Sequence, residues 1–277
     1  MANGIPAARG GPAAGGRPVI DTAVSHSARI WDYWLGGKDN YAVDREVGDR
    51  IEEMLPDIVR QAREDRLFLG RVVRYLAGEA GIRQFLDIGT GLPTADNTHQ
   101  VAQRVAPESK IVYVDNDPLV LAHARVLLTS RREGVTDYID ADMHDPGVII
   151  AGAGRVLDLG QPVAITMLGV LWHVLDDEEA YAIVGHLMQA MPSGSYLALN
   201  HPTLEVTGEK MATAIRYWNE YGTPPGTHRT PAQLARFFDG MDLVEPGVVS
   251  ITRWRPEATS SGEPEEIDQF GGVGRKP

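Results

Sequence analysis

The sequence predicts an α/β fold in which helices cover both faces of a parallel β-sheet. Between residues 84 and 199, short apolar runs rich in β-branched residues alternate with longer amphipathic segments, which is the pattern of strands joined by helical crossovers. The first run continues into Asp-Ile-Gly-Thr-Gly at residues 87–91, a sequence typical of a strand entering a tight glycine turn. Acidic residues follow the next two runs, so three carboxylates are expected along one edge of the sheet.

The chain of 277 residues is long enough for one large domain, or for one core with a smaller cap. It contains 26 basic and 38 acidic residues, and its net charge of −12 disfavours nucleic acids and anionic membranes as partners. The lack of cysteine excludes a disulfide framework, a thiolate nucleophile and a cysteine-based metal site. A cytoplasmic location is compatible with this composition, and we predict it.

Two regions are predicted to precede the sheet domain, which we assign to residues 81–277. Residues 1–20 contain five glycines, five alanines and three prolines, and we expect a disordered leader there. Residues 21–80 are predicted to form a helical cap, whose longest helix covers Val59–Ala77. Apolar residues line one face of this helix at Phe68, Leu69, Val72, Val73 and Leu76. Its arginines, Arg60, Arg63, Arg66, Arg71 and Arg74, are predicted to form a solvated surface.

The alternating region is divided by residue type and by the residues that begin and end helices. Strands are predicted at Gln84–Ile88, Ile111–Val114, Thr136–Ile139, Pro162–Leu168 and Ser195–Leu199. Helices are predicted at Asp96–Val105, at Pro118–Arg131 and from Asp176 or Asp177 to about Met191. A proline at the first helical position supports the second helix, and acidic residues in the first turn support the third. The uncharged stretch at residues 159–175 is interrupted by polar residues, so it is predicted to be a buried strand rather than a membrane span.

The C-terminal part is predicted to add two helices and two strands. Glu209–Tyr221 is amphipathic, and Thr230 followed by Pro231 begins a helix that we expect to end at Gly240. Strands are expected near Val244–Trp254 and Phe270–Arg275, with a polar loop at Pro256–Glu266 between them.

The glycine turn and the strand ends predict a nucleoside site. Gly89 and Gly91 allow the backbone to approach a ligand closely, whereas Asp87 just before the turn would repel a phosphate and favour a cationic ligand. Asp115, at the end of the second strand, can accept hydrogen bonds from both hydroxyls of a ribose. This mode of ribose recognition is shared by nicotinamide enzymes and S-adenosylmethionine (SAM) enzymes, so it does not separate them.

The third strand end completes the predicted site. Asp142 can accept a hydrogen bond from an adenine amino group, and Met143 offers an apolar flank to the ring. Asp115 as a helix cap and Asp142 as a turn former are the structural alternatives, although Asp117 is better placed to cap the following helix. The residues predicted to bind the cofactor are Asp87, Gly89, Thr90, Gly91, Asp115, Asn116, Asp142 and Met143.

Four segments resemble the S-adenosyl methyltransferase family formerly called DUF574: Ser27–Arg45, Gln84–Thr94, Asp96–His99 and Gly271–Lys276. The likeness covers essentially everything after the leader. It implies SAM as the cofactor and a Rossmann-like class I methyltransferase fold, with a seven-stranded, mostly parallel sheet and an antiparallel last strand at Phe270–Arg275. The general pattern of such enzymes has a third glycine where this chain has Pro93.

The predicted function is SAM-dependent methyl transfer to a small molecule whose identity the sequence does not give. A general base is needed only when the acceptor is still protonated, and His173 is the candidate; a structural histidine is the alternative. Tyr33, Lys38 and Tyr41 are predicted to close over cofactor or substrate, unless they serve packing alone. No metal site is predicted, since His144, Asp142 and Asp145 lack a ligand spacing.

Two other functions stay open from the sequence. A SAM-binding regulatory protein without turnover would also carry the acidic residues and would need no catalytic base. A nicotinamide-dependent oxidoreductase is disfavoured by Asp87 and by Thr94, which stands where the dinucleotide fingerprint needs Gly or Ala.

Overall fold

The computed structural model describes residues 20–127, 132–257 and 262–277. Its helices are α1 Ser27–Trp34, α2 Ala42–Met54, α3 Ile58–Gly78, α4 Thr98–Val105, α5 Pro118–Leu127, α6 Pro146–Ala153, α7 Asp177–Gln189, α8 Glu209–Tyr221 and α9 Pro231–Arg236. Its strands are β1 Gln84–Ile88, β2 Lys110–Asp115, β3 Val135–Asp140, β4 Ala164–Leu168, β5 Tyr196–Pro202, β6 Asp242–Leu243, β7 Val249–Ser250 and β8 Gln269–Arg275. The predicted leader, apart from Ile20, and the predicted helix end beyond Leu127 lie outside the described residues.

The strands form one mixed sheet, in the order β3-β2-β1-β4-β5-β8-β6, with β7 also paired to β8. Strands β1 to β5 are parallel, and β8 runs antiparallel to β5. The predicted class of sheet is therefore confirmed, including its antiparallel C-terminal strand. Strand order reverses between β1 and β4, and in such sheets this position leaves a crevice beyond the carboxyl ends of the strands.

The alternation of side chains along the central strands explains why both faces of the sheet are covered. In β1, Leu86 and Ile88 pack into the apolar cluster on one face, and Phe85 packs into the cluster on the other. In β2, Val112 and Ile111 divide between the same two clusters. Because successive side chains of a strand point to opposite faces, such continuous apolar strands need helices on both sides.

Helix α3 lies on one face of the sheet, as its apolar pattern predicts. Phe68, Val72 and Leu76 are fully buried in the cluster that also contains Phe85. The prediction that the α3 arginines form a solvated surface is wrong in part. Arg71 donates hydrogen bonds to the carbonyls of Trp254 and Ile251, at 3.0 and 2.6 Å, and Arg66 reaches the cavity described below.

The first two helices are held to each other by a buried carboxylate. Asp44 of α2 is fully buried and pairs with Arg29 of α1, with Arg29 Nε 3.1 Å from a carboxylate oxygen. The backbone N–H groups of His26 and Tyr41 also donate to Asp44, at 2.9 and 2.8 Å. Both oxygens of this carboxylate thus accept hydrogen bonds, and a guanidinium pairs with it, which offsets the cost of burying it.

Two predicted elements are wrong in their extent. The strand expected at Val244–Trp254 is present only at Val249–Ser250, because Gly247 adopts a φ of +89° and its N–H bonds back to the Val244 carbonyl, forming a turn. The helix expected to reach Gly240 ends at Arg236. Beyond it, the N–H groups of Phe237 and Phe238 bond three residues back, and this tightening ends an α-helix.

Among the residues that the structure describes, no helix combines the length and the apolar character needed to cross a bilayer.

Candidate active site

A cavity of about 230 Å³ lies at the carboxyl edge of the sheet, where strand order reverses. The loops after β1, β2, β3 and β4 form its floor, and residues of α1 and α3 form its other walls. We call it the main cavity. It brings together all the residues predicted to bind a cofactor: Asp87, Gly89, Thr90, Gly91, Asp115, Asn116, Asp142 and Met143.

The glycine turn after β1 requires glycine for two different reasons. Gly89 has a φ of +76°, and a Cβ there would lie 2.4 Å from Cβ of Val170. Gly91 has a φ of +65°, but a Cβ there would meet nothing within 4 Å. The close approach at Gly89 is therefore to the protein's own β4 loop, whereas space beside Gly91 is open to a ligand.

The loop containing Pro93 separates this turn from helix α4, which begins only at Thr98. Asn97 caps the helix, and its own N–H donates to Oε1 of Gln100 at 2.9 Å. The side chain of Asn97 in turn accepts from the N–H of the third helical residue. The N-terminal amides of α4 are thus partly occupied by the chain itself, and this disfavours the pyrophosphate site of a nicotinamide enzyme.

Asp87 is buried at the base of the main cavity and ties β1 to its neighbours. Its two carboxylate oxygens accept hydrogen bonds from Thr98 Oγ1 at 2.6 Å and from Thr166 Oγ1 at 2.8 Å. Burial raises the pKa of Asp87, and these hydrogen bonds and the charge of Arg66 oppose the increase. A negative charge held in this position favours a cationic ligand above it.

Asp115 ends β2 and is fixed by backbone amides on both oxygens. Oδ2 accepts from the N–H of Gly91 at 2.8 Å, and Oδ1 accepts from the N–H of Asp117 at 3.0 Å. Burial raises the pKa of Asp115, against the effect of these hydrogen bonds. Each carboxylate oxygen can accept a second hydrogen bond, so the group remains able to bind a diol.

Asp117, not Asp115, caps the following helix, as the sequence indicates. Its Oδ1 accepts from the N–H of Leu119 at 2.8 Å, and its Oδ2 lies 2.8 Å from Nδ1 of His26. Burial acts to raise the pKa of Asp117, but the contact with His26, the hydrogen bond from Leu119 and the charge of Arg29 together outweigh it and lower the pKa. His26 precedes α1, so this pair joins the N-terminal helices to the edge of the main cavity.

Asp142 combines a turn with a contact across strand ends. Its Oδ1 accepts from the N–H of His144 at 3.0 Å, and its Oδ2 accepts from Nδ2 of Asn116 at 3.0 Å. Met143 lies between these residues and lines the cavity. Asp142 thus forms a turn, as the alternative interpretation of the sequence proposes, and it also lines the cavity together with its partner Asn116.

His173 lines the main cavity, and its imidazole is held at both nitrogens. Nδ1 lies 2.9 Å from the carbonyl oxygen of Pro225, so it is the donor, and Nε2 lies 3.1 Å from Oγ of Ser27, from which it accepts. Burial lowers the pKa of His173 to about 4. The ring is therefore neutral at pH 7, and its assignment as a general base stays a prediction.

Tyr33, Lys38 and Tyr41 lie outside the lining of the main cavity. The hydroxyl of Tyr33 donates to Asp49 at 2.5 Å, Lys38 is exposed, and the Tyr41 ring lies 5.3 Å from the guanidinium carbon of Arg29. The N-terminal segment around α1 does line the cavity, but through other residues: Ala28, Trp31 and Asp32 of α1 and Leu35 just after it. That spacing, i, i+3, i+4 and i+7, was the available signal for these residues.

Sequence reasoning also missed two charged residues that α3 contributes to the main cavity. Arg66 donates from Nη2 to the carbonyls of Ala95 and Asp96, each at 3.2 Å. Its Nε is shielded from solvent and has no hydrogen-bond partner among the described residues. Burial lowers the pKa of Arg66, while Asp87 and Asp65 oppose the decrease, so a half-buried, positively charged hydrogen-bond donor lines the cavity.

Asp65 is the second of these residues. It is buried, and it accepts a short hydrogen bond from Nδ2 of Asn200. Asn200 is itself fixed by the N–H of Gly169, which donates to its Oδ1 at 2.6 Å. Burial raises the pKa of Asp65 to about 6, against its hydrogen bonds with Asn200 and Gln269 and the charge of Arg66.

The sheet topology and the cavity at its switch point define the class I SAM-dependent methyltransferases. A model of the S-adenosyl methyltransferase family matches residues 13–277, and the chain belongs to this family. Its cofactor is SAM, and it is a SAM-dependent methyltransferase.

Two solved structures support the assignment. A DUF574 family protein from Streptomyces avermitilis is 45% identical, covers 93% of this chain and 99% of its own, and superposes with a TM-score of 0.88. A methyltransferase candidate from Thermobifida fusca is 38% identical, covers 92% of this chain and 96% of its own, and superposes with a TM-score of 0.85. A search of curated proteins found no match to the chain.

Proposed function

We propose that the protein transfers the methyl group of SAM to a small organic molecule bound beside the main cavity. The observation that carries this proposal is the convergence of four strand ends and α3 on one cavity. Asp115 would hold the ribose hydroxyls, while Asp142 and Asn116 would face the polar edge of adenine with Met143 against the ring. Each of these side chains keeps unused acceptor or donor capacity toward the cavity.

The charges of the main cavity fit the remaining part of SAM. The cofactor carries a sulfonium and an ammonium group, which the carboxylate of Asp87 at the base of the main cavity favours. It also carries one carboxylate, and the shielded Nε of Arg66 lacks a partner among the described residues. An arginine donor paired with a carboxylate would satisfy both groups.

When bound, SAM supplies an electrophilic methyl carbon attached to a positively charged sulfur, and the sulfur keeps the electron pair of the broken carbon–sulfur bond. The chain's own contribution is to orient the two substrates and to exclude water. Trp31 of α1, Leu35 just after α1 and Pro224 after α8 also line the main cavity, so they are placed to cover the reacting groups. His173 would connect two parts of this wall, because its ring is hydrogen-bonded to both Ser27 and the Pro225 carbonyl.

Calorimetric titration of the full chain with SAM and with S-adenosylhomocysteine tests the proposed cofactor contacts. The Asp115→Ala variant is expected to bind both at least about tenfold more weakly, since a charged acceptor of two hydroxyls is lost. Asp239→Ala, which changes an exposed residue outside the main cavity, is the matched control and should bind normally. No measurable binding of either compound to the wild type would overturn the proposal.

Turnover separates an enzyme from a regulatory protein that only binds SAM. Labelled SAM and a metabolite extract should give a labelled, methylated small molecule with the wild type and less with Asp115→Ala. NADH fluorescence should not be enhanced on mixing, because Asn97 and Gln100 cap the helix that a pyrophosphate would need.

A further inference from the structure

A second cleft adjoins the main cavity, and its walls are largely apolar. We call it the tryptophan cleft, and its main wall residues are Trp31, Trp34, Trp172, Met211, Ile215 and Trp218. The rings of Trp172 and Trp218 lie 4.8 Å apart and are tilted by 58°. Aromatic walls of this kind favour a flat ring, which can stack against one ring and meet the edge of another.

The tryptophan cleft, with a free volume of about 50 Å³, shares part of its wall with the main cavity. Trp31 and Gly169 line both, so a ring seated in the cleft would lie next to the place where SAM is expected. Such a junction is the geometry that methyl transfer needs, because acceptor and methyl group must meet in a site from which water is excluded.

The polar groups of the cleft lie at this junction. Gln61 and Gln269 line the cleft, and Asp65, one helical turn after Gln61 on α3, lines the main cavity. Gln269 is hydrogen-bonded to Asp65. A Cβ built on the shared Gly169 would lie 3.6 Å from Oδ2 of Asp65, so this oxygen lies beside the wall that the two cavities share.

We propose that the tryptophan cleft binds an aromatic acceptor with a hydroxyl group and that Asp65 takes the hydroxyl proton. The proton moves from the acceptor oxygen to a carboxylate oxygen of Asp65, and an oxygen lone pair forms the new bond to the methyl carbon. The pair of the broken carbon–sulfur bond stays on sulfur, and Asp65 later releases its proton to water. The inference rests on the proposed function, since it places the acceptor beside bound SAM.

The surroundings of Asp65 suit this role. Asn200 from β5 and Gln269 from β8 are neutral amides that fix its orientation, and Arg66, next to it on α3, is the charged group that acts on it. Burial raises its pKa to about 6, which makes a stronger base that is still mostly ionised at pH 7. His173 has no free ring nitrogen in this structure, because Pro225 and Ser27 occupy both. An acceptor hydroxyl is the group that needs such a base; a neutral amine does not.

Binding to the full chain saturated with S-adenosylhomocysteine tests the acceptor class without turnover. Calorimetry should show phenol binding about tenfold more tightly than cyclohexanol, the matched ring without π electrons. Equal affinities, or no binding of phenol, would overturn the aromatic acceptor. S-adenosylhomocysteine binding is measured first. If it binds and phenol does not, the acceptor inference fails while the proposed cofactor site stands.

The role of Asp65 is tested by the protonation of bound 4-nitrophenol, whose phenolate absorbs visible light. A neighbouring carboxylate disfavours the phenolate, so the bound phenol should keep its proton to a higher pH than in water. The apolar walls also raise the pKa of the bound phenol, so the upward shift should be smaller in Asp65→Asn than in the wild type and unchanged in His173→Asn and in the control Asp239→Asn. An unchanged shift in folded Asp65→Asn, or a decrease in His173→Asn alone, would overturn the assignment. Circular dichroism confirms folding; if Asp65→Asn does not fold, Asp65→Ser removes the same charge and should give the same decrease, whereas Asp65→Glu, which keeps the charge, should retain the shift.

Turnover of a phenol gives an independent readout of the same step. Asp65→Asn should lower kcat by about 10²- to 10⁴-fold, the usual contribution of a positioned base, with KM little changed. The kcat/KM of the wild type should rise with pH through about 6. A loss confined to KM would mean that Asp65 only helps to hold the acceptor, and it would contradict proton transfer.

Discussion

Replacing Arg66 by Met tests how the cofactor is oriented in the main cavity. Methionine keeps an apolar stem of similar length and removes the guanidinium. Two groups are lost: Nε, which is shielded and has no partner among the described residues, and Nη2, which donates to the Ala95 and Asp96 carbonyls at 3.2 Å. These two losses have different consequences for ligands, and this difference makes the variant informative.

If Nε holds the carboxylate of SAM, the variant loses a hydrogen bond between two charged groups. Such a bond contributes about 1.5–3 kcal/mol, so the affinity for S-adenosylhomocysteine should fall about 10- to 150-fold. The bonds from Nη2 are to carbonyls of an exposed loop, and each should contribute about 1 kcal/mol or less. Their loss would loosen the loop and weaken all ligands of the main cavity to the same degree.

Calorimetry with two ligands separates these effects. 5′-Methylthioadenosine keeps the adenine, the ribose and the sulfur of SAM but has no amino-acid carboxylate. Arg66→Met should therefore weaken S-adenosylhomocysteine strongly and 5′-methylthioadenosine only slightly. Arg63→Met, an exposed position on the same helix, is the control and should change neither. Equal weakening of both ligands by Arg66→Met would refute the pairing of Nε with the carboxylate.

Three further predictions concern stability. Arg229→Met should lower the free energy of unfolding by about 3 kcal/mol or more, because the fully buried guanidinium donates to the Leu171 and Val174 carbonyls and pairs with Asp177; chemical denaturation measures this, and an unchanged midpoint would contradict it. Gly89→Ala should destabilise the protein more than Gly91→Ala, since both add strain at positive φ but only the change at Gly89 adds a clash with Val170; thermal unfolding of the two variants measures this, and equal midpoints would contradict it. Asp65→Asn should stabilise the protein by about 3 kcal/mol at pH 8 but not at pH 4, because the folded pKa of about 6 exceeds the usual value of 3.8 and the wild type becomes less stable as the carboxyl ionises with pH rising through 6; a pH-independent difference would refute it.

Much of the scaffold could be predicted because its signals are local. Gln84–Ile88 and Glu209–Tyr221 have the predicted bounds, since strand alternation and helical periodicity are set by neighbouring residues. The glycine turn at Gly89 and the cap at Asp117 likewise depend on a few adjacent residues. The strand expected at Val244–Trp254 was wrong because the turn at Gly247 interrupts an otherwise β-branched run.

The walls of the site could be predicted only in part, because they depend on which helix face meets the sheet edge. The strand ends are fixed by topology, so Asp87, Asp115 and Asp142 were found together. Arg66 was assigned to solvent because a charged residue beside an apolar stripe usually faces water. In the structure Arg66 is half-buried and its neighbour Asp65 is buried. Their burial could be recognised only once the loops after β1 and β4 are placed against α3.

The two cavities depend on one segment of chain, and this explains why the acceptor side was the hardest to predict. Trp31 of α1 lines both cavities, His26 before α1 pairs with Asp117 beside Asp115, and Arg29 of α1 is bound to Asp44 of α2. The position of α1 is thus set by contacts with residues that are distant in sequence, from the loop after β2 and from α2. A pattern along α1 gives its amphipathic face but not its partner. The acceptor cleft therefore arises from tertiary packing, whereas the cofactor residues arise from the strand ends themselves.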